Sequence, residues 1–217
     1  MQPIPWLLAV GSQKGGTGRT TTALALAWLG GAAGQRVALI DADPVQAAAL
    51  VAAAPGQRCA WANVRLFAGM PTDDVPLAGC DLVIVDCPSL TEPAAQAVLC
   101  RADAVLLTCL PESYCLRTLP AAVAALAAAR RDSARPELLG LLATGCRRDD
   151  PQHARWLAEL RAAHGSLLLE PPVPWDRGLR DWPLTPGADL PVGAGAVAYR
   201  AVAEQVLAAR LAGAGVR

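Results

Sequence analysis

Short apolar runs recur along the chain and alternate with longer, alanine-rich segments of helical character. We predict strands at the runs 6–10, 36–43, 81–88, 104–111, 138–145 and 166–174. Val, Ile and Leu fill these runs with little polar alternation, so the strands are expected to be parallel and buried on both faces. The pattern predicts an α/β fold, a doubly wound and mostly parallel β-sheet with helices on both faces.

The segments between the runs are predicted to be helices, because Ala and Leu have high helix propensity and Pro or Gly closes most ends. The predicted helices span 20–33, 44–53, 91–101, 113–131, 151–164 and 196–212. Residues 171–193 are rich in Pro, Gly, Trp and Asp, which indicates an ordered irregular segment wrapping the sheet edge. A length of 217 residues predicts a single domain over 1–217.

A glycine-rich turn follows the first predicted strand and precedes the first predicted helix. Gly15, Gly16 and Gly18 allow the backbone to bring its N–H groups close to phosphate oxygens. The helix that begins near Arg19 adds the positive end of its dipole, and Thr20 places a hydroxyl where such loops ligate Mg²⁺. The stretch therefore predicts a phosphate-binding loop.

Carboxylates end two of the other predicted strands. Asp41 and Asp43 lie at the end of one run, and Asp86 ends another. At the carboxyl edge of a parallel sheet, beside a phosphate loop, such groups can hold Mg²⁺ and orient a water nucleophile. An N-cap role for Asp43, which precedes Pro44, is compatible with this chemistry.

These motifs resemble the deviant Walker ATPases of the ParA/MinD family. In that family the loop reads K-G-G-x-G-K-[ST], a second strand ends in D-x-D-P-Q, and a third reads h-h-h-h-D-x-P, where h is hydrophobic. The counterparts here are KGGTGRT at 14–20, DADP at 41–44 and LVIVDCP at 82–88. The resemblance covers nearly the whole chain, strongly over 8–46 and 81–90 and loosely after 104, and it implies a P-loop NTPase fold with ATP and Mg²⁺ as cofactors.

The resemblance also implies roles for individual residues. Lys14 would reach the phosphates of a partner subunit in a nucleotide-sandwich dimer, Asp41 would join the metal shell with Thr20 and Asp86, and Asp43 would activate water. Pro111 would lie near the base and ribose, and Thr144 beside adenine. The implied nucleotide contacts are Lys14, Gly15, Gly16, Thr17, Gly18, Arg19, Thr20, Thr21, Pro111 and Thr144.

The chain departs from the family pattern at a few positions. Arg19 stands in place of the second lysine, Gln13 replaces the first glycine of the general P-loop pattern, and Val45 displaces the glutamine to Gln46. A planar guanidinium keeps the charge but cannot occupy an ammonium pocket without rearrangement. We therefore expect slow or partner-stimulated hydrolysis of ATP. The resemblance implies that the chain is a molecular switch that dimerises with ATP and positions or segregates a cargo. The alternative is a hydrolysis-deficient scaffold in a larger assembly, such as a secretion or cellulose-synthesis complex.

The charge balance limits the partners that the chain can attract. Nineteen basic and nineteen acidic residues cancel, so DNA binding would need a local patch. The resemblance implies an ATP-dependent homodimer and a stimulating partner protein, and a dimer could align arginines into a face for sequence-independent DNA binding. Solvated surface arginines are the other interpretation. The candidates are Arg130, Arg131, Arg135, Arg147, Arg148, Arg155, Arg161, Arg177, Arg180 and Arg200.

The cysteines and the chain ends bear on location. Seven cysteines without a Cys-x-x-Cys pair, and no secretory signal pattern, predict a cytoplasmic protein with reduced, mostly buried thiols, nucleoid-associated if it binds DNA. Iron–sulfur carriers related to the family would need a shared cluster, which the spacing of Cys80 and Cys115 does not demand. No apolar run is long enough for a membrane span, and the Ala-rich last helix does not favour membrane-surface binding. With a strand so near Met1, we expect no operator-binding domain before it.

Overall fold

The computed structural model describes residues 4–44, 61–71, 77–130, 135–182 and 188–214. The strands are β1 (Trp6–Gly11), β2 (Val37–Asp41), β3 (Val64–Ala68), β4 (Leu82–Asp86), β5 (Ala104–Cys109) and β6 (Glu137–Ala143). The helices are α1 (Arg19–Ala32), α2 (Pro93–Leu99), α3 (Ser113–Ala129), α4 (Pro151–His164), α5 (Arg177–Asp181) and α6 (Ala194–Ala214).

The strands form one sheet in the order β3-β2-β4-β1-β5-β6, and every neighbouring pair is parallel. From β1 the chain first builds the sheet on one side and then returns to add β5 and β6 on the other. The loop after β1 therefore lies at the point where the strand order reverses, the crevice in which open α/β sheets bind ligands. In the β2–β4 pairing, Asp41 lies directly opposite Asp86.

Apolar side chains pack against both faces of the sheet. Along β1, Leu8 and Val10 belong to a cluster shared with α1 and α6, whereas Leu7 and Ala9 belong to a cluster shared with α2 and α3. Each strand of the sheet interior is thus buried on both sides, which explains why its residues are uniformly apolar. The predicted fold class is confirmed.

The last helix, α6, packs on the first. The hydroxyl groups of Tyr199 on α6 and Thr22 on α1 lie 2.9 Å apart in the buried interface. At its other end, Arg210 donates to the side-chain oxygen of Gln35, just beyond α1. Among the helices that the structure describes, none is long and apolar enough to cross a membrane.

The predicted strand over 166–174 is wrong as a continuous element. The structure has only isolated parallel bridges there, between Leu141 and Leu168 and between Cys146 and Pro174. Prolines at 171, 172 and 174 lack the N–H groups that a strand needs, which explains the interruption.

Other boundaries differ less. The predicted helix over 151–164 has the bounds of α4, and α1, α3 and α6 begin and end within two residues of their predicted limits. The edge strand β3 was not predicted, because its half-exposed sequence contains Arg65 and is not a buried apolar run. The irregular segment 171–193 contains the short helix α5, and the predicted helix over 44–53 lies outside the described residues after its first position.

Candidate functional site

The glycine-rich loop connects β1 to α1 and presents its backbone to an open face. Gly16 and Gly18 have φ angles of 77° and 75°, a left-handed conformation that favours glycine. A Cβ atom added at Gly15 or Gly16 would have no other described heavy atom within 4 Å. The loop therefore leaves room above it for a phosphate group.

Side chains from neighbouring strands hold this loop in place. The hydroxyl of buried Thr17 lies 3.0 Å from that of Thr108 at the end of β5. Thr144, which follows β6, donates to the backbone carbonyl of Thr17 at 2.7 Å, and Ser89 donates to the carbonyl of Gln13 at 3.1 Å. Thr17 and Thr144 thus fix the shape of the loop, a role that the sequence did not reveal.

The acidic residues meet at the carboxyl edge of the sheet, as the sequence predicted. Asp41 and Asp86 are both fully buried. Thr20, in the first turn of α1, donates to Oδ2 of Asp86 at 2.7 Å. Oδ1 of Asp86 is also buried and has no hydrogen-bond partner among the described residues. A carboxylate oxygen and a hydroxyl beside a phosphate loop are a donor set that fits Mg²⁺.

The electrostatic environment of Asp86 is consistent with a cation site. The pKa of Asp86 is raised to about 7, mainly by burial and in part by the neighbouring charge of Asp41. The hydrogen bond from Thr20 and the charge of Arg19 act in the opposite direction. The protein alone therefore stabilises this carboxylate incompletely, and an adjacent cation would favour its charged form.

Arg19 lies inside the same site. One terminal nitrogen donates to the backbone carbonyl of Cys87 at 2.8 Å, and the other donates to Oδ2 of Asp43 at 3.0 Å. The side chains of Arg19 and Asp43 are only 11% and 15% exposed. The residue that departs from the family pattern is thus bonded to the carboxylate expected to activate water.

Lys14 lies at the rim of the loop. Its ammonium group is 3.4 Å from a carboxylate oxygen of Glu112 and 5.2 Å from the ring centre of Tyr114, at the start of α3. Its side chain is 41% exposed. An exposed ion pair of this kind contributes little to stability, so Lys14 can leave it for another anion at small cost.

A cavity of about 400 Å³ opens beside the loop. This volume lies in the range of small-molecule sites. Of the predicted nucleotide contacts, Gly16, Gly18, Thr21 and Thr144 line it, whereas Pro111 is buried between two lining residues and is not itself in the lining. The other lining residues include Glu112, Arg147, Asp176, Arg180 and Tyr199.

The far wall of the cavity comes from the segment before α5. Trp175 is 45% exposed, and the guanidinium groups of Arg147 and Arg180 lie 5.4 and 5.9 Å from the centre of one of its rings. Asp176 caps α5 by accepting from the N–H of Gly178 at 2.8 Å. The sequence predicted an ordered irregular segment here but not its place in the cavity wall, because the approach of this segment to the loop is tertiary.

Two further sequence features are the pair of cysteines considered for a cluster and the displaced glutamine. Cys80 precedes β4, while Cys115 lies on α3 just after the carboxyl end of β5, so the two thiols belong to opposite edges of the sheet. The glutamine at position 46 and the preceding valine lie outside the described residues.

Comparison with known proteins defines the class. The model of the CobQ/CobB/MinD/ParA nucleotide binding domain matches residues 8–186. The chromosome-partitioning ATPase Soj of Thermus thermophilus is 29% identical, over 93% of this chain and 95% of the relative. The chain belongs to the CobQ/CobB/MinD/ParA nucleotide-binding family, which confirms the resemblance to ParA and MinD.

Solved structures share the fold. Cobyrinic acid a,c-diamide synthase from Mycobacterium smegmatis, with bound ADP and magnesium, has a TM-score of 0.76 at 21% identity and covers 94% of each chain. The ATP complex of a Cyanothece McdA variant has a TM-score of 0.77 at 17% identity, over 93% of this chain and 96% of the other. At identities of 21% and 17%, these similarities establish the fold alone.

The environment of Asp86 leads to a prediction about pH. The pKa of Asp86 is raised in the folded state from the usual value of 3.8 to about 7, so the folded chain binds this proton more tightly than the unfolded chain does. The free energy of unfolding is therefore expected to fall as the pH rises from about 4 to about 7. We expect Asp86→Asn to increase the free energy of unfolding of the metal- and nucleotide-free protein at pH 8, by a few kcal/mol at most, with little effect at pH 4. Urea unfolding at both pH values, with EDTA present, checks this, and an equal effect at both would contradict it.

Proposed function

We propose that the chain is an ATP-binding molecular switch that hydrolyses ATP slowly, dimerises with it and positions or segregates a cellular cargo in the cytoplasm. The observation that carries this proposal is the pairing of Thr20 with the buried Asp86, one oxygen of which is left without a described partner. The site joins this pair to an open phosphate loop and a cavity of about 400 Å³. The likeness to Soj, a chromosome-partitioning ATPase, supports the cargo-positioning part.

In the proposed complex the loop backbone and the first turn of α1 bind the phosphates. Thr20 and Asp86 would hold Mg²⁺, with Asp41 in the surrounding shell. Bound Mg²⁺ would neutralise charge that develops on the phosphoryl oxygens. Asp43 would orient the attacking water, while Arg19 would stabilise negative charge from a mostly buried position.

The alternative function is a scaffold that binds no nucleotide or does not turn it over. Among the described residues, Arg19 is the one whose departure from the family pattern suggested this alternative. Its guanidinium, however, is held within the acidic site by hydrogen bonds of 2.8 and 3.0 Å to Cys87 and Asp43, which keeps a positive charge beside the loop where phosphates would bind. This favours the switch over the scaffold.

Calorimetric titration with a non-hydrolysable ATP analogue tests the switch. We expect saturable binding that Mg²⁺ enhances by about tenfold or more in the wild type, because Asp86 and the cation stabilise each other. Asp86→Asn should lose most of the enhancement while it still binds the nucleotide. Asp81→Asn, at the opposite edge of the sheet in an ion pair with Arg36, is the matched control. Absence of saturation at millimolar ligand, from folded protein, would favour the scaffold.

Dimerisation places Lys14 at the centre of the proposed switch. The rim position of Lys14, its exposure and its weak pairing with Glu112 leave it able to reach a phosphate on a second copy of the chain. In this proposal, nucleotide-bound chains meet across their phosphate loops, and a partner protein stimulates hydrolysis and release.

The uniqueness of Lys14 makes this contact measurable, since it is the only lysine in the sequence. We expect the solution mass to rise from that of one 22.4 kDa chain with ADP to about twice that value with the ATP analogue. An amine-reactive label should modify Lys14 several-fold more slowly in the ATP-analogue state, while the α-amino group of Met1 serves as the internal control. Equal mass and equal labelling in both states would exclude ATP-dependent dimerisation.

Sequence-independent DNA binding is a second proposed property, and one basic patch favours it. Five of the candidate arginines are in ion pairs: Arg135, Arg155, Arg161, Arg177 and Arg180. Arg147 and Arg148, by contrast, have no ion pair among the described residues and line a second cavity of about 390 Å³ next to Trp175. These two arginines are available for phosphate contacts.

A pair of arginine variants tests the patch. Arg148 does not line the cavity beside the loop, so Arg148→Ala should preserve nucleotide binding. We expect it to weaken DNA retention in the ATP state and to lower the slope of log affinity against log salt by about one per protomer. Arg155→Ala, which removes an ion-paired arginine on α4, should leave DNA retention unchanged. Equal retention with ATP and ADP at low salt would refute ATP-dependent DNA binding.

A further inference from the structure

Arg19 connects two loops that are far apart in the sequence. Cys87 follows β4 and Asp43 lies two residues beyond β2, and the neighbouring strands carry both loops to the same edge of the sheet. The guanidinium bonds the Cys87 carbonyl with one nitrogen and the Asp43 carboxylate with the other, at 2.8 and 3.0 Å. Arg19 therefore fastens the two loops to the start of α1 and to each other.

The shape of the side chain explains why arginine suits this position. A guanidinium presents donors in a rigid planar fork, so it can satisfy two acceptors in fixed directions. The ammonium group of lysine concentrates its donors at one atom on a flexible stem. Since Arg19 and Asp43 are 11% and 15% exposed, water competes weakly for these bonds.

The bonded position of Arg19 conflicts with phosphate binding. In loops of this type the side chain at this position reaches the β and γ phosphates. The nitrogen that faces Asp43 would then serve two anions, a carboxylate and a phosphate. A terminal phosphate carries more negative charge than a carboxylate and accepts more hydrogen bonds, so it should take over that nitrogen.

We propose that Arg19 clamps the loops after β2 and β4 together in the nucleotide-free chain, and that the terminal phosphate of a nucleoside triphosphate releases Asp43 from this clamp. The second half of this statement rests on the proposed function. Asp43 is thereby kept from orienting water until the phosphate to be cleaved is in place. A nucleoside diphosphate lacks the γ-phosphate and leaves Asp43 bonded to Arg19, so the two nucleotides have different effects on this residue.

Hydrogen–deuterium exchange on the nucleotide-free protein tests the clamp directly. Four hydrogen-bonded backbone N–H groups report on the two loops. Those of Ala42, Cys87 and Leu90 donate to backbone carbonyls, and that of Asp43 donates to the carboxylate of Asp41. In Arg19→Ala we expect exchange in segments 41–44 and 87–90 to be about tenfold faster, the factor for the loss of one charge-assisted hydrogen bond. Asp43→Ala should accelerate 41–44 alone, because it removes the carboxylate acceptor and retains the Arg19–Cys87 bond.

Arg36→Ala is the matched control, since Arg36 is an ion-paired arginine at the opposite edge of the sheet. It should change neither segment. If Arg19→Ala matches the wild type in both segments, the clamp is refuted. If exchange in Arg19→Ala rises over the whole chain, Asp43→Ala decides, and an unchanged 41–44 segment in that variant refutes the clamp.

A second arm adds Mg²⁺ with ADP or with a non-hydrolysable ATP analogue to the wild type, at concentrations shown by calorimetry to saturate. Faster exchange of 41–44 with the triphosphate than with the diphosphate supports release of Asp43. Equal exchange with both bound nucleotides refutes the release while the proposed function stands. A calorimetric absence of binding refutes the proposed function, and the nucleotide-free experiment still decides the clamp.

Discussion

The hydrogen bond between Thr20 and the buried carboxylate of Asp86 is the interaction on which the rest of the site depends. Parallel strands bring Asp41 and Asp86 side by side at full burial, where two ionised carboxylates would repel each other with little screening by water. Thr20 and Arg19 are the first residues of α1, so the positive end of the helix and its side-chain donors face this pair. The start of α1 therefore stabilises the acidic edge of the sheet, and the acidic edge holds the start of α1 in place.

That constraint fixes the loop between β1 and α1. The conformation of this loop is restricted because the helix that follows it must place Thr20 beside Asp86. Hydroxyl groups from three surrounding segments also bond the loop. Thr108 contacts the Thr17 hydroxyl, Thr144 donates to the Thr17 carbonyl, and Ser89 donates to the Gln13 carbonyl. The backbone N–H groups are held in place before any anion arrives. Such preorganisation lowers the entropy that binding must remove.

The sequence predicted those parts of the site whose chemistry is local. The glycines, Thr20 and the strand-ending aspartates could be placed because a turn, a helix start and the end of a parallel strand each have a sequence signature. Tyr199 and Trp175 could not, because they reach the cavity through the packing of α6 and of the segment before α5. The pairing of Lys14 with Glu112 also depends on tertiary distance, although each residue lies in a segment that the resemblance had identified.

The contacts of Arg19 indicate whether the phosphate loop, with arginine in place of lysine, still has a function. A residue that had lost its function would be free to turn toward solvent, where a guanidinium is best hydrated. Arg19 instead remains mostly buried and uses the planar fork that lysine lacks to bond two separate loops. Burying a charged group without partners is costly, so this arrangement holds only while the acceptors on both loops are in position. Arg19 is thus an integral part of the site. It differs from a lysine in that it bonds the loops of Cys87 and Asp43 in the nucleotide-free chain.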